Sequence, residues 1–444
     1  MVVPTESRSH RQALIDAALA PQRHPGRVLT TVAIVLGIIV ATGVGAYIYQ
    51  LMSGIGVTAL NDEVFWGIYT VDLVAFIGFS YGGALVSAIL RLTGAAWRGP
   101  ITRIAEGTAL VTLAVGALFP VIHLGHPERV WQFFTQPQLD SPLLWDMVAI
   151  LTYLLVTVFL FSIPLIPDLA IAETSVDGWR KRLYRRLSMN WVGTPEQERV
   201  LGRATTALAI LVIPVAVMVH TVLSYAFSLT SRPGWFSTIF GPYFVVAAIY
   251  SGVAVVILAT VLYRRIYHLE AWIEERSVRY LSYLMIALGV LYGYFTFTEI
   301  TTEGYVGEES ATNVLFTILL RDYSVAFWTF VLLGLVVPIL LVAWRRTRTP
   351  LGMGVASALV ILGMFLKRFL IVVPPLTRPL VGDEVGIYFP GIVEILITAG
   401  AAAGMILLLI GLFRVFPVLG IHEMAALGNE FEDLPPIPDR GDTS

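Results

Sequence analysis

The chain has 444 residues, of which 57% are hydrophobic and 14% are charged, with a formal net charge of -2. Soluble domains carry about 25% charged residues, so this composition excludes a soluble protein and predicts an integral membrane protein. Uninterrupted apolar runs of about 20 residues predict helical spans and exclude a barrel. The chain contains no cysteine, which excludes disulfides, thiol nucleophiles and cysteine-bound iron–sulfur clusters within it.

The apolar runs predict an all-α membrane domain of ten spans over residues 28–415. A polar segment, residues 1–27, precedes it, and the apolar run that follows is too long for the hydrophobic part of a signal peptide. A basic loop at 167–200 is the only long polar insertion in the sequence, and a tail follows at 416–444. The ten spans are predicted at about 28–52, 64–90, 104–124, 143–166, 203–229, 240–263, 280–302, 324–344, 352–373 and 390–413.

Arginine and lysine cluster in alternate connections between these spans. The N-terminal segment and the second, fourth, sixth and eighth loops are basic, whereas the odd-numbered loops are poor in basic residues. Because basic loops remain in the cytoplasm, both termini are predicted there and the loop between spans 3 and 4 is predicted outside. The odd-numbered loops instead carry the acidic residues Asp62, Glu63, Glu128, Asp140, Glu308, Glu309, Asp383 and Glu384.

The fourth loop and the tail have weaker patterns. The loop contains the segment KRLYRRLSMNW, which is either a helix lying on anionic lipid headgroups or a solvated basic turn. The tail from Phe431 is rich in proline and acidic residues, so we expect an extended chain there.

The loop between spans 3 and 4 holds the candidate functional site. His123 lies in the last turn of span 3 and Asp146 in the first turn of span 4, so both are held at one membrane depth. An imidazole can accept a proton from a quinol, and a carboxylate beside it would orient the ring and raise its basicity. We therefore predict a quinol site with His123 and Asp146 as its catalytic pair. His126, Arg129 and Trp145 are candidate contacts to the quinone headgroup.

Other titratable side chains lie within the spans, where each charge costs about 2.5–3.5 kcal/mol on insertion scales and so needs a reason. They concentrate in the predicted outer halves, while the inner halves of the same spans offer essentially hydroxyl groups only. This asymmetry favours proton exchange with the outer aqueous phase over a channel through the membrane. The candidate proton carriers are Asp72, Tyr81, His220, Glu299 and Glu394.

Several of these residues also have a structural interpretation. Glu394 stands near a span end, where a carboxylate can reach water. Lys367 and Arg368 could hold helices together by pairing with Glu394 or Glu299. His220 could be a polar contact between helices.

Resident redox groups are not expected in this chain. Only His123 and His220 lie within predicted spans, at different depths, so no axial pair for a haem is predicted. No metal site and no nucleic-acid partner are expected either. Electrons taken from a quinol would therefore have to pass to another subunit. The lipid bilayer is expected to surround the spans.

Seven stretches between about 64 and 400 carry a resemblance to a known family. They read AFIGFSYGGALVSAILR, FPVIHLGHPERVW, SPLLWDMVAILTY, HTVLSYAFSLTSRPGWFSTIFGPYFVVAAIYSG, YGYFTFTE, KRFLIVVPPL and VEILITAG. The sequence resembles the NrfD/polysulfide-reductase membrane-subunit family, and among its members it looks most like the ActC subunits of alternative complex III.

This resemblance implies a fold, a substrate and partners. The fold would be two four-helix bundles, at about 64–229 and 240–373, flanked by spans 1 and 10. Such proteins bind quinol or menaquinol near the outer face of a bacterial cytoplasmic membrane. They pass electrons to an attached iron–sulfur subunit, often with a molybdopterin-type or cytochrome c partner and other membrane subunits. In the resemblance, His123 and Asp146 occupy quinone-site positions.

Three departures from the ActC pattern weaken the case for an electrogenic proton route. His126 stands in place of an arginine, Tyr81 in place of a histidine and Ala226 in place of an aspartate.

The leading hypothesis is a quinol-oxidising membrane subunit that is not catalytic alone. Its rivals are a structural anchor that binds no quinone and a proton or ion transporter.

Overall fold

A computed structural model describes residues 5–23, 26–378 and 386–427. These residues form helices, turns and loops, with no strand among them, so the predicted all-α class is confirmed. Ten of their helices are long and apolar enough to cross a membrane, as predicted. We number them spans 1–10 in chain order: Arg27–Ser53, Ile68–Leu92, Gly99–His123, Pro142–Ser175, Pro195–Ser228, Phe240–Ile266, Glu275–Val306, Ser324–Ala343, Pro350–Thr377 and Ile392–Val415.

The starts of several spans follow from local sequence. Spans 3, 4, 5 and 9 each have a proline in the first turn. Proline is tolerated there because the backbone N–H groups of the first turn have no partner within the helix, so the missing N–H of proline costs no hydrogen bond. Span 5 also has a capping box. The Thr194 hydroxyl accepts from the Gln197 amide at 3.2 Å, and the Gln197 side chain accepts from the Thr194 amide at 3.3 Å. These contacts fix where the helix leaves the basic loop.

Spans 2 and 6 cross at the centre of the protein. A Cβ atom added to Gly82 would lie 1.9 Å from the Gly252 carbonyl carbon, so only glycine permits this approach. In its most apolar stretch span 2 is 89% buried, against 11% for span 1 and 17% for span 10. Spans 1 and 10 therefore flank the other spans. The division into bundles at about 64–229 and 240–373 stays a prediction.

A helix and a tail segment meet at one end of the protein, which we call the terminal side. In the helix Thr5–Ala18 the side chains of Leu14 and Ile15 are buried, and the Val418 amide donates to the Ala18 carbonyl at 2.9 Å. The opposite end, which carries the loop between spans 3 and 4, is the loop side. The polar N-terminal segment thus contains a packed helix. The acidic residues Asp383 and Glu384 and the tail from Phe431 lie outside the described residues.

The basic segment of the fourth loop forms a helix, Gly178–Leu187. Tyr184 anchors it, because its buried hydroxyl donates to the Val415 carbonyl at 2.8 Å and accepts from Gln22 at 2.8 Å. Burial raises the pKa of Tyr184 to about 12, so this hydroxyl stays protonated and able to donate. Of the two interpretations, the helical one therefore applies, and its contact with anionic headgroups stays a prediction.

Cysteine labelling tests the predicted orientation, and the wild-type chain gives no background because it has no cysteine. Gln138 and Ile387 are exposed on the loop side, and Met189 is exposed on the terminal side. An impermeant maleimide added to intact cells should label Gln138→Cys and Ile387→Cys. It should label Met189→Cys only after the membrane is opened. The reverse labelling pattern would show that the protein has the opposite orientation in the membrane.

Candidate functional site

A cavity of about 110 Å³ lies at the loop side, between the ends of spans 2, 3, 4 and 5. His123 and Asp146 both line it, as their predicted common depth requires. Span 3 stops at His123 because Gly125 follows with φ +69° and Pro127 cannot continue a helix. Span 4 begins at Pro142, which places Asp146 one turn into the helix.

Two of the polar side chains that line this cavity have a buried atom without a hydrogen-bond partner among the described residues. His123 Nδ1 and Asp146 Oδ1 are buried and form no hydrogen bond among the described residues. No hydrogen bond joins the two side chains directly, although the sequence predicted that Asp146 would orient the imidazole. Buried polar atoms are nearly always hydrogen-bonded, so both atoms fit a group bound between them.

Most of the other residues that line the cavity are aromatic or apolar, and Tyr69 and Thr70 add hydroxyl groups. Trp66 of the segment before span 2 packs edge-on against Phe227 of span 5, with ring centroids 5.3 Å apart. Behind them Trp235 lies 5.5 Å from Trp66, and its indole nitrogen donates to the Ile371 carbonyl at 2.7 Å. Phe119 closes the side facing span 2. A flat aromatic ring with polar atoms at its ends matches these walls.

The three predicted headgroup contacts lie outside this cavity. His126 is exposed and pairs through Nδ1 with Glu128 Oε1 at 2.9 Å, and Arg129 is exposed beside it. The pKa of Glu128 lies below its usual range because of a hydrogen bond from its own backbone amide and the His126 contact. Trp145 is half exposed and donates to the Leu139 carbonyl at 2.8 Å. Nearness in sequence to His123 and Asp146 did not bring these side chains into the cavity.

Asp72 and Glu394 lie in a neighbouring polar group between spans 2 and 10. Asp72 is fully buried, and its Oδ2 accepts from the Thr398 hydroxyl at 2.6 Å while its Oδ1 has no partner among the described residues. Glu394 Oε2 accepts from the amides of Gly391 at 2.8 Å and Ala59 at 2.9 Å. This pair of donors makes Glu394 a helix cap as well as a candidate proton carrier.

Tyr388 completes the cap of span 10. Its hydroxyl donates to Glu394 Oε1 at 2.6 Å and accepts from the Ile68 amide at 2.9 Å. Burial, and then the Glu394 carboxylate, raises the pKa of Tyr388, so the hydroxyl stays protonated and keeps donating. The contact joins the loop before span 10 to the start of span 2.

Tyr81 and His220 meet near the middle of the protein. Their ring centroids are 4.2 Å apart, and neither ring nitrogen of the buried His220 has a hydrogen-bond partner among the described residues. His220, Tyr292 and Arg368 line a cavity of about 10 Å³, which is near the size needed for one water molecule. Arg368 donates to the Ser251 hydroxyl at 2.7 Å instead of pairing with either predicted carboxylate.

Glu299 forms an ion pair with Lys367, which was the structural role considered for it as an alternative to proton transfer. Lys367 Nζ lies 3.1 Å from Glu299 Oε2, and both side chains are mostly buried. The structure therefore brings Tyr81 together with His220, Asp72 together with Glu394, and Glu299 together with Lys367. It does not bring these three groups into the cavity of His123 and Asp146.

A buried ionic cluster on the terminal side was missed, and the prediction that the inner halves offer hydroxyl groups only is wrong. Arg103, Glu106 and Asp168 are 3%, 1% and 1% exposed. Arg103 donates to Asp168 Oδ2 at 2.7 Å, and its guanidinium lies 3.6 Å from Glu106 Oε2. Span 3 begins at Gly99 and span 4 runs to Ser175, so residues assigned to loops lie inside the helices. The sequence did contain one indication of this cluster, because Glu106 lies three residues after Arg103 in an otherwise apolar run.

The cluster adjoins a cavity of about 140 Å³ that the C-terminal helix Ile421–Leu427 covers. The His422 amide donates to Asp168 Oδ1 at 2.8 Å. Glu423 pairs with Arg98 at 2.8 Å and with Arg91 at 3.3 Å. The charges at this end of spans 2–5 are thus held by a segment from the far end of the sequence.

Comparison with known proteins identifies the family of this chain. The sequence profile of the family described as polysulphide reductase, NrfD, matches residues 56–379. The chain belongs to the NrfD family. As an NrfD protein with ten apolar helices, it is a multi-pass integral membrane protein.

Three relatives are named as subunits of reductases or oxidoreductases. One, of Halobacterium salinarum, is named as a membrane subunit of a dimethyl sulfoxide reductase and is 26% identical over 423 residues, 86% of this chain and 90% of the relative. A selenate reductase subunit from Mesobacillus selenatarsenatis is 27% identical over 356 residues, covering 78% of this chain and 82% of the relative. An Hdr-like menaquinol oxidoreductase integral membrane subunit from Archaeoglobus fulgidus is 24% identical over 366 residues, 81% of each.

These findings confirm the predicted family and support a role as a subunit of an oxidoreductase that is not catalytic alone. None of the three names points to ActC or to alternative complex III, so that narrower likeness is not shown. Among the described residues no group of three histidine, aspartate or glutamate side chains could hold a metal ion.

Proposed function

We propose that this NrfD protein binds a quinol in the cavity of His123 and Asp146 and serves as the quinol-oxidising membrane subunit of a larger complex. The observation that carries the proposal is the pair of buried polar atoms, His123 Nδ1 and Asp146 Oδ1, which belong to side chains lining one aromatic-walled cavity and have no hydrogen-bond partners among the described residues. The relative named as a menaquinol oxidoreductase subunit supports menaquinol as the substrate.

The chemistry of the site follows from what a quinol must lose. Oxidation of one quinol releases two protons and two electrons and leaves the quinone. His123 would accept the proton of one hydroxyl at Nδ1, the ring nitrogen that is buried without a partner among the described residues. Asp146 would bind the second hydroxyl and accept its proton, so that the headgroup itself links the two side chains and both protons have an acceptor. The electrons would pass to iron–sulfur clusters of an attached subunit, because this chain has no cysteine to hold one.

Narrower parts of this proposal rest on the resemblance alone. They are a bacterial cytoplasmic membrane, an outer iron–sulfur or molybdopterin-type partner on the loop side, a cytochrome c partner and membership of an ActC-like complex. The departures at Tyr81, His126 and Ala226 favour a smaller relative of alternative complex III.

Binding of a water-soluble menaquinone analogue to the purified complex tests the site. Asp146→Leu and His123→Ala should each weaken binding about 10–100-fold, since a hydrogen bond to a charged or ionisable group contributes about 1.5–3 kcal/mol. Trp145→Ala is the matched control, because Trp145 is a neighbour in sequence that does not line the cavity. Unchanged binding by Asp146→Leu would favour a structural anchor without quinone.

A second candidate function, proton movement through this chain, is favoured by the terminal-side cluster. Glu106 Oε2 is buried without a hydrogen-bond partner among the described residues, and Oε1 accepts from the Ser87 hydroxyl of span 2 at 2.7 Å. A carboxyl group at this end could take up protons, which the sequence did not lead us to expect.

Proton counting on the complex in sealed vesicles separates the two functions. If Glu106 carries protons, Glu106→Gln should lower the protons taken up per electron on the terminal side, and Glu106→Asp should restore part of the uptake. The control is Glu275→Gln, an exposed carboxylate on the same side. Equal proton uptake by Glu106→Gln and wild type would make the cluster purely structural.

A further inference from the structure

A second and larger cavity lies on the other side of span 3. Its volume is about 470 Å³, and its walls come from spans 1, 3 and 10. Spans 1 and 10 touch at Gly43 and Gly400, where an added Cβ on either glycine would lie 2.8 Å from the other's Cα. This close crossing draws the two helices together and leaves an open space between them and span 3.

The chemistry of this cavity admits an apolar chain and little else. Apart from the hydroxyl of Tyr47, every side chain lining it is aliphatic, aromatic or absent, including Ile122, Ile397 and Leu408. A buried polar group would lack partners there, which costs free energy. An engineered apolar cavity of about 150 Å³ binds benzene, so this one can hold a flexible chain about three times that size.

The cavity also has the depth and the direction of a chain that starts at the loop-side site. Ile122 and Tyr47 line its upper end, close to the level of His123. From Ile397 to Leu408 it follows span 10 for eleven residues, or about 16 Å, toward the middle of the membrane.

The two cavities share one wall. Phe119 lines both of them, and its ring stacks on Phe76 with centroids 5.7 Å apart. Above it, Tyr69 also lines the loop-side cavity and donates to Gln50 of span 1, which in turn donates to the Ile122 carbonyl at 3.4 Å. The Phe119 side chain therefore stands between the two spaces, below this polar contact.

We propose that the cavity between spans 1, 3 and 10 binds the prenyl tail of the quinol whose headgroup lies between His123 and Asp146. The inference rests on the proposed function. The tail is the occupant because it is uncharged, begins at the headgroup and must run from that level into the membrane. A phospholipid would need a partner for its phosphate, and the described residues that line the cavity include no cationic side chain.

Filling the cavity tests the inference. A Cβ atom on Gly404 would meet only Val40 at an ordinary 3.8 Å, so Gly404→Leu can project into the space without a clash. In the purified complex, this variant should raise the ratio of KM for long-tailed menaquinol to KM for a tail-less analogue about tenfold. The reason is that the leucine side chain takes up space that about two CH₂ groups of the tail would otherwise fill, so that part of the apolar burial of the tail is lost. Gly411→Leu is the matched control on the same helix, because nothing lies within 4 Å of its Cβ position, and it should leave the ratio unchanged.

The outcomes distinguish this inference from the proposed function. Ala401→Leu, at the same cavity, repeats the test if Gly404→Leu does not assemble. Wild-type enzyme with equal KM values for both quinols, or cavity variants that match Gly411→Leu, would overturn the tail site while leaving the headgroup site intact. Wild-type complex that oxidises and binds neither quinol would overturn the proposed function, and the tail site with it.

Discussion

Replacing His123 by alanine should lower the quinol-dependent turnover of the complex by about 10²–10⁴-fold, the usual contribution of a general base. Asp146→Asn should have an effect of similar size, because an amide cannot take up a proton. Neither variant should lower the yield of assembled complex, since His123 Nδ1 and Asp146 Oδ1 are not hydrogen-bonded to the rest of the protein among the described residues. The measurement is steady-state quinol oxidation normalised to the amount of complex.

The double variant is the sharpest form of this experiment. If both side chains act on one headgroup, the double variant should be little slower than the worse single variant, because either change disables the same unit. His126→Ala is the control, since that imidazole pairs with Glu128 at the surface. Normal turnover of an assembled complex that carries both His123→Ala and Asp146→Asn would contradict the proposal. It would show that the loop between spans 3 and 4 only connects two helices.

Removing Arg103 should destabilise the protein by about 3–5 kcal/mol, the usual cost of breaking a buried ion pair. The guanidinium contacts the buried carboxylates of Glu106 and Asp168 and also donates to the Phe161 carbonyl at 2.9 Å. Arg103→Leu leaves both carboxylates without this counter-charge. We expect a lower unfolding midpoint in detergent and a lower yield of folded protein.

Two further variants provide a comparison for the loss of stability expected of Arg103→Leu. Arg279→Leu breaks a half-exposed pair with Glu275 and should cost only about 0.2–1 kcal/mol. Adding Asp168→Leu to Arg103→Leu should recover part of the loss, because one uncompensated charge is removed. An Arg103→Leu protein as stable as Arg279→Leu would show that water reaches the cluster and screens it.

The sequence predicted the helices well because membrane spans depend mainly on local composition. Runs of apolar residues and alternating basic loops indicated all ten spans, and the Gly125–Pro127 turn set the common depth of His123 and Asp146. Sequence spacing therefore suffices where a feature is determined by the length of a helix and by where it stops.

What sequence could not supply was burial. The predicted spans 3 and 4 stopped short of Arg103 and Asp168, yet both helices continue past these residues, whose charges pair with each other across the two helices. Likewise the walls of the loop-side cavity include Trp66 and Phe227, which are more than 50 residues from the loop that was predicted to hold the site. Both features depend on which helices become neighbours, and local sequence does not encode that.

The contact between the Ala18 carbonyl and the Val418 amide has a consequence for biosynthesis. The two residues are separated by 400 positions, and ribosomes add about 5–20 residues per second, so the first helix waits about 20–80 s for its partner. During that time the helix Thr5–Ala18 lacks its contact with the segment after span 10. The helix Ile421–Leu427, which covers the cluster of Arg103 and Asp168, also follows all ten spans in the sequence, so a chain that stops before it has every span but leaves this cluster uncovered.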